Sequence, residues 1–100
     1  MTQKHFILFY DYAADYLERR GGLRPAHHKH ASASLARDEF QLGGPFADPA
    51  DSAALLFKAA SRDVVEDFAR NDPYVLDGLV KSWRVREWTT VVGRDALSKI

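Results

Sequence analysis

Apolar residues crowd both faces of the segment "KHFILFYD" (Lys4 to Asp11). Phe6, Leu8 and Tyr10 fall on one face, Ile7 and Phe9 on the other. Covered on both sides, the segment predicts a central β-strand. The doublet Gly21-Gly22 in "RRGGLR" predicts a break, because glycine is costly inside a helix. Pro25 suits the first helical position, where its missing N–H removes no bond. From there to about Glu39, the alanines and Leu35 predict a helix. "FQLGGPFAD" predicts a strand bent at Gly43-Gly44-Pro45, and "SAALLFKAA" (Ser52 to Ala60) predicts another. Ser61 is a good N-cap, Asp63 suits the first turn, and Val64, Val65, Phe68 and Ala69 form a helical stripe. Pro73 drives Asp72 out of helical geometry, so this second helix should end near Asn71. "KSWRVREWTTVV" (Lys81 to Val92) predicts a last strand, followed by a short tail.

The order is β-α-β-β-α-β. Two such halves form a four-stranded antiparallel sheet with both helices on one face, the ferredoxin-like α+β arrangement. One sheet face is then uncovered, and Tyr10, Phe57, Trp83 and Trp88 are candidates to fill it. A bare apolar sheet face implies a partner, and the simplest is a second copy packed sheet to sheet about a two-fold axis.

Length and composition narrow the function. One hundred residues predict a single domain spanning 1–100 with one modest core. Lys+Arg and Asp+Glu both number 14, so no net field draws in nucleic acid or an anionic membrane, and neither is expected as a partner. With no cysteine, disulfides, thiolate metal sites and cysteine nucleophiles are excluded. The N-terminal apolar run is too short for a secretory signal, and nothing approaches the roughly 18 apolar residues of a membrane span. Ser98-Lys99-Ile100 comes near a peroxisomal address without matching it. The expected location is the cytoplasm.

Candidate chemistry gathers at "RPAHHKH" (Arg24 to His30), which holds three of the four histidines. His27 and His30 are three apart and could face one way, as metal-binding pairs on helices do. No motif supplies a third ligand, so no metal site is expected, and His28 and His30 read as a solvated histidine face. Arg24 suits the binding of a carboxylate or phenolate, and reads equally as a surface ion pair. Asp72 before Pro73 reads as the N-cap of a short helix. Tyr10 and Tyr74 could line a pocket or donate a hydrogen bond, or simply belong to the core. Gly43-Gly44-Pro45 lacks the Lys-Ser/Thr of a phosphate loop, and more simply bends a strand or lets backbone approach a ligand.

Taken together, these segments resemble the YciI-like (YCII-related) family. The N-terminal aromatic strand, "RPAH" at Arg24 to His27, "GGP" at Gly43 to Pro45, "DPY" at Asp72 to Tyr74, Gly78 and an aromatic-bearing last strand agree in order and spacing over roughly 5–92. The resemblance implies a ferredoxin-like fold associating as a dimeric α+β barrel. It also implies a His–Asp pair in a pocket, which falls on His27 and Asp72, with Arg24, Gly44, Pro45 and Tyr74 as substrate-binding neighbours. No cofactor is implied. Most members have no assigned reaction, and one relative is a dehydrochlorinase of a chlorinated hydroxyhydroquinone. The expected activity is therefore cofactor-free lyase or isomerase chemistry on a small cyclic or aromatic oxygenated substrate. The alternative is a non-catalytic small-molecule binding or interaction module, with a cofactor-free oxygenase as a third option. The chain departs from the family in carrying Arg37-Asp38-Glu39 where a glycine often ends the first helix. It also has His28 and Ala31 where leucine is common, so the first helix is expected to pack less tightly. As the third residue of a helix begun at Pro25, His27 would be held neutral by the helix dipole, as a general base requires.

Overall fold

The computed structural model describes residues 2–99. Seven elements follow one another: β1 (Lys4–Tyr12), α1 (Tyr16–Ala36), β2 (Phe40–Pro45), β3 (Ser52–Ala59), α2 (Arg62–Asn71), α3 (Pro73–Leu76) and β4 (Val80–Trp88). The strands form one antiparallel sheet in the order β2-β3-β1-β4, which is the ferredoxin-like α+β fold. β1 lies centrally, as its doubly apolar pattern predicts.

Alternation along the strands decides which face is covered. Phe6, Leu8, Tyr10 and Tyr12 of β1 and Ala53, Leu55, Phe57 and Ala59 of β3 are buried under the helices. The rings of Phe57 and Phe68 meet edge to face at 4.9 Å, joining β3 to α2, and Phe40 of β2 meets Phe57 at 5.3 Å. The opposite face carries Ile7, Phe9, Ala54 and Leu56, with Arg84, Arg86 and Trp88 paired beside them. Three of the four aromatics expected there are thus on the other side. Tyr10 and Phe57 are core residues, and Trp83, opposite Tyr10, lies under Arg70 of α2. The reason is parity: each shares the face of its apolar neighbours two positions away. Only Trp88 of the four sits on the open face.

The largest departure from the sequence reading is α1. It begins at Tyr16, runs unbroken through Gly21, Gly22 and Pro25, and is 21 residues long. A proline inside a helix costs about 3 kcal/mol, so tertiary anchors must offset it. They are in place at the N-terminal end. Tyr16 is buried and stacks on Tyr12 with ring centroids 3.6 Å apart, and Arg19 Nη2 donates to the Asp77 carbonyl at 2.6 Å. Pro25 would have bonded the carbonyl of residue 21, and the glycine there leaves the backbone room to adjust. His27 therefore lies in mid-helix, and the N-terminal dipole plays no part at its ring.

The other end of α1 closes without the family's glycine. Asp38 adopts the left-handed φ of 61°, its N–H donates to the Leu35 carbonyl, and the Glu39 N–H donates to the Ser34 carbonyl. This is the Schellman closure, with aspartate where glycine is usual. Lys58 pairs with Asp38 at 2.7 Å and holds its carboxyl below the usual range, with Gln41 adding a hydrogen bond. β2 is thereby delivered to the sheet edge.

The last strand ends at Trp88, four residues sooner than expected, because Thr90 starts a turn. Its hydroxyl accepts from the Leu97 N–H at 3.0 Å and its carbonyl from Ser98 at 2.9 Å. The same hydroxyl lies 2.7 Å from His5 Nδ1. His5 is buried, and burial pushes its imidazole below the ordinary range, with Lys58 acting in the same direction and Asp95 against it. The unfolded chain therefore takes up this proton first. The contribution of His5 is fully present above about pH 6.5 and is lost below it, until the imidazole of the folded chain is protonated too. We expect the melting temperature of His5→Gln to fall less between about pH 7 and pH 5 than that of the wild type. Parallel slopes would refute this assignment.

Candidate active site

The covered face of the sheet ends in a cavity of about 380 Å³ between α1, β2 and the C-terminal half of β1. Its wall includes Arg24, His27 and His28 of α1, Gly43, Gly44 and Pro45 of β2, and Tyr74 of α3. Strand and helix bring these together from positions fifty residues apart. Gly43 makes the approach of β2 possible. A Cβ there would lie 2.7 Å from the Phe40 ring and 3.2 Å from the Leu55 backbone, and Phe40 is itself wedged between Phe57 and Phe68. Gly44 has open space where its Cβ would stand, so it lines the cavity through its backbone.

Behind that wall lies Asp72. Pro73 forces it to φ −71° and ψ 126°, so α2 stops there and α3 starts. The carboxylate has no exposed surface. It accepts from the Tyr74 N–H at 3.0 Å, from the Tyr10 hydroxyl at 2.7 Å and from His27 Nδ1–H at 2.8 Å. The N-cap reading and the histidine partnership are therefore one arrangement, with Oδ1 serving both. A carboxylate only accepts, so Nδ1 carries the hydrogen, and in a neutral ring the lone pair is the one on Nε2. His27 is 16% exposed, and its ring lies flat on Tyr74 with centroids 3.9 Å apart and planes 4° from parallel. Stacking fixes the ring plane and Asp72 fixes the rotation within it. The ring so held lines the cavity.

Charge is distributed unevenly around this pair. Burial drives the Tyr10 hydroxyl well above the usual tyrosine range, and the negative charge of Asp72 drives it further. Tyr74 is also raised by burial, while the Arg24 guanidinium beside its hydroxyl pulls the other way. Tyr12, buried and bonded to Tyr16, is pushed above the usual range as well. All three phenols stay protonated at neutral pH; Tyr10 donates to Asp72, and the Tyr74 hydroxyl accepts from Arg24. Arg24 is the cation of the cavity wall.

Measured against the sequence, His27 and Asp72 meet, and Arg24, Gly44, Pro45 and Tyr74 line the cavity beside them. Asp72 itself is not among the residues that line the cavity. His28 is exposed at the rim. His30, expected in solvent, is half-buried. Its Nε2–H donates to the Phe68 carbonyl at 2.8 Å and its ring packs on Phe68. That bond occupies the nitrogen a metal pair with His27 would need. Among the described residues no three acidic or histidine side chains cluster to hold a metal. Tyr12 and Tyr16 also line the cavity, and the sequence reading overlooked them. Tyr12 could have been found by parity, since it continues the buried Phe6, Leu8, Tyr10 series.

The profile of the YCII-related domain matches residues 4–89, and the chain belongs to that family. No curated protein sequence matches it significantly. Among solved structures, 5-chloro-2-hydroxyhydroquinone dehydrochlorinase from Burkholderia phenoliruptrix, in complex with 2,5-dihydroxybenzoquinone, superposes with a TM-score of 0.74. The two are 24% identical, over 86% of this chain and 94% of that one. A cofactor-independent oxygenase from Streptomyces nogalater superposes at 0.55 with 11% identity, covering 95% and 99%. A protein from Mycobacterium tuberculosis does so at 0.57 with 17% identity, covering 92% and 98%. These likenesses show the shared ferredoxin-like α+β fold.

Proposed function

We propose that the cavity is the active site of a cofactor-free proton-transfer enzyme acting on a small cyclic or aromatic oxygenated substrate. The observation that carries this reading is the bond from His27 Nδ1–H to the buried Asp72. It holds the imidazole in place at the cavity wall, with Nε2 left to serve as the base. Nε2 takes a proton from a hydroxyl or an activated carbon. The electron pair of that bond moves into the substrate framework. In an elimination, a leaving group then departs as an anion with its bonding pair. In an isomerisation, His27 returns the proton to a different atom. Asp72 stabilises the imidazolium formed in between, and Arg24 and the Tyr74 hydroxyl face the developing oxyanion. Backbone at Gly44 and Pro45 supports the flat side of the substrate. The family membership and the fold shared with a dehydrochlorinase favour elimination among these classes.

Turnover is to be measured by absorbance against halogenated and unhalogenated hydroxyhydroquinones. Wild type should convert at least one, and His27→Gln should lower kcat/KM about 10²–10⁴-fold. Saturable binding of 2,5-dihydroxybenzoquinone that survives His27→Gln, with no turnover by the wild type, would replace this reading by a binding module. Oxygen consumption with the same quinols would replace it by an oxygenase.

We also propose that the chain works as a homodimer through the open sheet face. Ile7, Phe9, Ala54 and Leu56 form a contiguous apolar strip there, extended by exposed Leu42 and Trp88. A monomer has nothing to gain from leaving such a strip in water. Sedimentation should give a dimer for wild type at micromolar concentration and a monomer for Leu56→Asp. A monomeric wild type would refute the assignment.

A further inference from the structure

The proposed reaction gives no task to the hydroxyl of Tyr10, although it makes the shortest bond to the Asp72 carboxylate. Tyr10 stands on β1, 62 positions from Asp72 in sequence, and its hydroxyl lies 2.7 Å from Oδ2. His27 Nδ1 reaches that same oxygen only at 3.1 Å, against 2.8 Å to Oδ1. Each oxygen therefore has one short side-chain donor, and the Tyr74 N–H adds a second bond to Oδ1 at 3.0 Å. Phe6 and Leu8 precede Tyr10 on the same buried face, so packing alone would be met by a ring with no hydroxyl. A hydroxyl placed here costs desolvation and needs the partner it has. Burial and the neighbouring negative charge keep the phenol protonated, so it is a permanent donor and takes no part as a base.

Two donors on one carboxylate share its charge. Each bond weakens the acceptor strength left for the other, and strong charge-assisted bonds are the ones most affected. Removing the Tyr10 hydroxyl would concentrate the carboxylate's charge on the bond to His27. Strengthening that donor would do the reverse.

We propose that Tyr10 is a positioning residue of the His27–Asp72 pair: its hydroxyl pins Oδ2 and draws off part of the carboxylate's charge. It thereby sets how strongly Asp72 grips the Nδ1–H proton and how readily Nε2 accepts one. This rests on the reading of His27 as the base. The Tyr10 side chain also lines the cavity, but its hydroxyl is committed to Asp72 Oδ2 and acts through that carboxylate.

The test is proton NMR of the full chain labelled with 15N at histidine, following the His27 Nδ1–H resonance. Four proteins are compared: wild type, Tyr10→Phe, the chain with 3-fluorotyrosine at position 10, and Asp72→Asn. A tighter N–H···O bond deshields its proton, so Tyr10→Phe should move the signal downfield. Fluorotyrosine keeps the ring and hydroxyl but is the more acidic donor, and should move the signal upfield. Its near-isosteric side chain keeps the test alive if Tyr10→Phe folds poorly. Shifts of the same sign, or no shift in either Tyr10 protein, would mean a packing role only and overturn the proposal. Asp72→Asn separates the two levels. If it displaces the His27 signal while both Tyr10 proteins leave it in place, Tyr10 alone loses its role. If Asp72→Asn leaves it in place too, the pair itself fails and the proposal fails with it.

Discussion

A carboxylate sealed from water is among the costlier things a small domain can contain, and Asp72 is sealed completely. It persists because three donors from three elements converge on it: Tyr10 of β1, His27 of α1 and the Tyr74 N–H of α3. Each donor fixes something larger than itself. Tyr10 ties the centre of the sheet to the helical layer, His27 sets the rotation of α1 about its axis, and Tyr74 starts the helix that follows. The site is thus a structural crossing point, and its chemistry follows from the same three bonds. A neutral imidazole that donates one nitrogen to a buried carboxylate must present the other as a base.

α1 depends on the same crossing. A helix through Gly21, Gly22 and Pro25 has poor intrinsic stability, and its exposed face offers little packing. Contacts at intervals along it compensate: Tyr16 on Tyr12, Arg19 on the Asp77 carbonyl, His27 on Asp72, His30 on the Phe68 carbonyl and the Schellman closure at Asp38. Two of the helix's three histidines therefore hold it down through ring nitrogens. The remaining one, His28, is at the cavity rim, free to meet a ligand.

Much of this was legible in the chain itself. The doubly apolar Lys4–Asp11 gave the central strand and Pro73 after Asp72 gave the end of α2, because each is a local rule; Ser61 precedes α2 as expected, but its side chain makes no cap bond. The pairing of His27 with Asp72 was not local. It came from the likeness of "RPAH" and "DPY" to a family pattern, and 45 residues separate the two. Where propensity and tertiary anchoring disagreed, the sequence misled: Gly21-Gly22 read as a break and Pro25 as a helix start, but the groups that anchor the continuous helix, the Tyr12 ring and the Asp77 carbonyl, lie on β1 and after α3. The dipole argument for His27 does not carry over, because the ring sits in mid-helix and its partner is the buried carboxylate of Asp72. Trp83, Tyr10 and Phe57 were set on the open face by residue type, whereas parity along their strands assigns them to the core.

The central claim is that Asp72 locks His27 in the Nδ1–H tautomer with Nε2 unprotonated. Two-bond 15N–1H correlation on the wild-type imidazole at neutral pH tests it directly, because the two ring nitrogens give distinct shifts when one is protonated. The account predicts a protonated-type shift at Nδ1 and a pyridine-type shift at Nε2. A pyridine-type shift at Nδ1, or rapid exchange between the two tautomers, would contradict it and with it the assignment of His27 as the base.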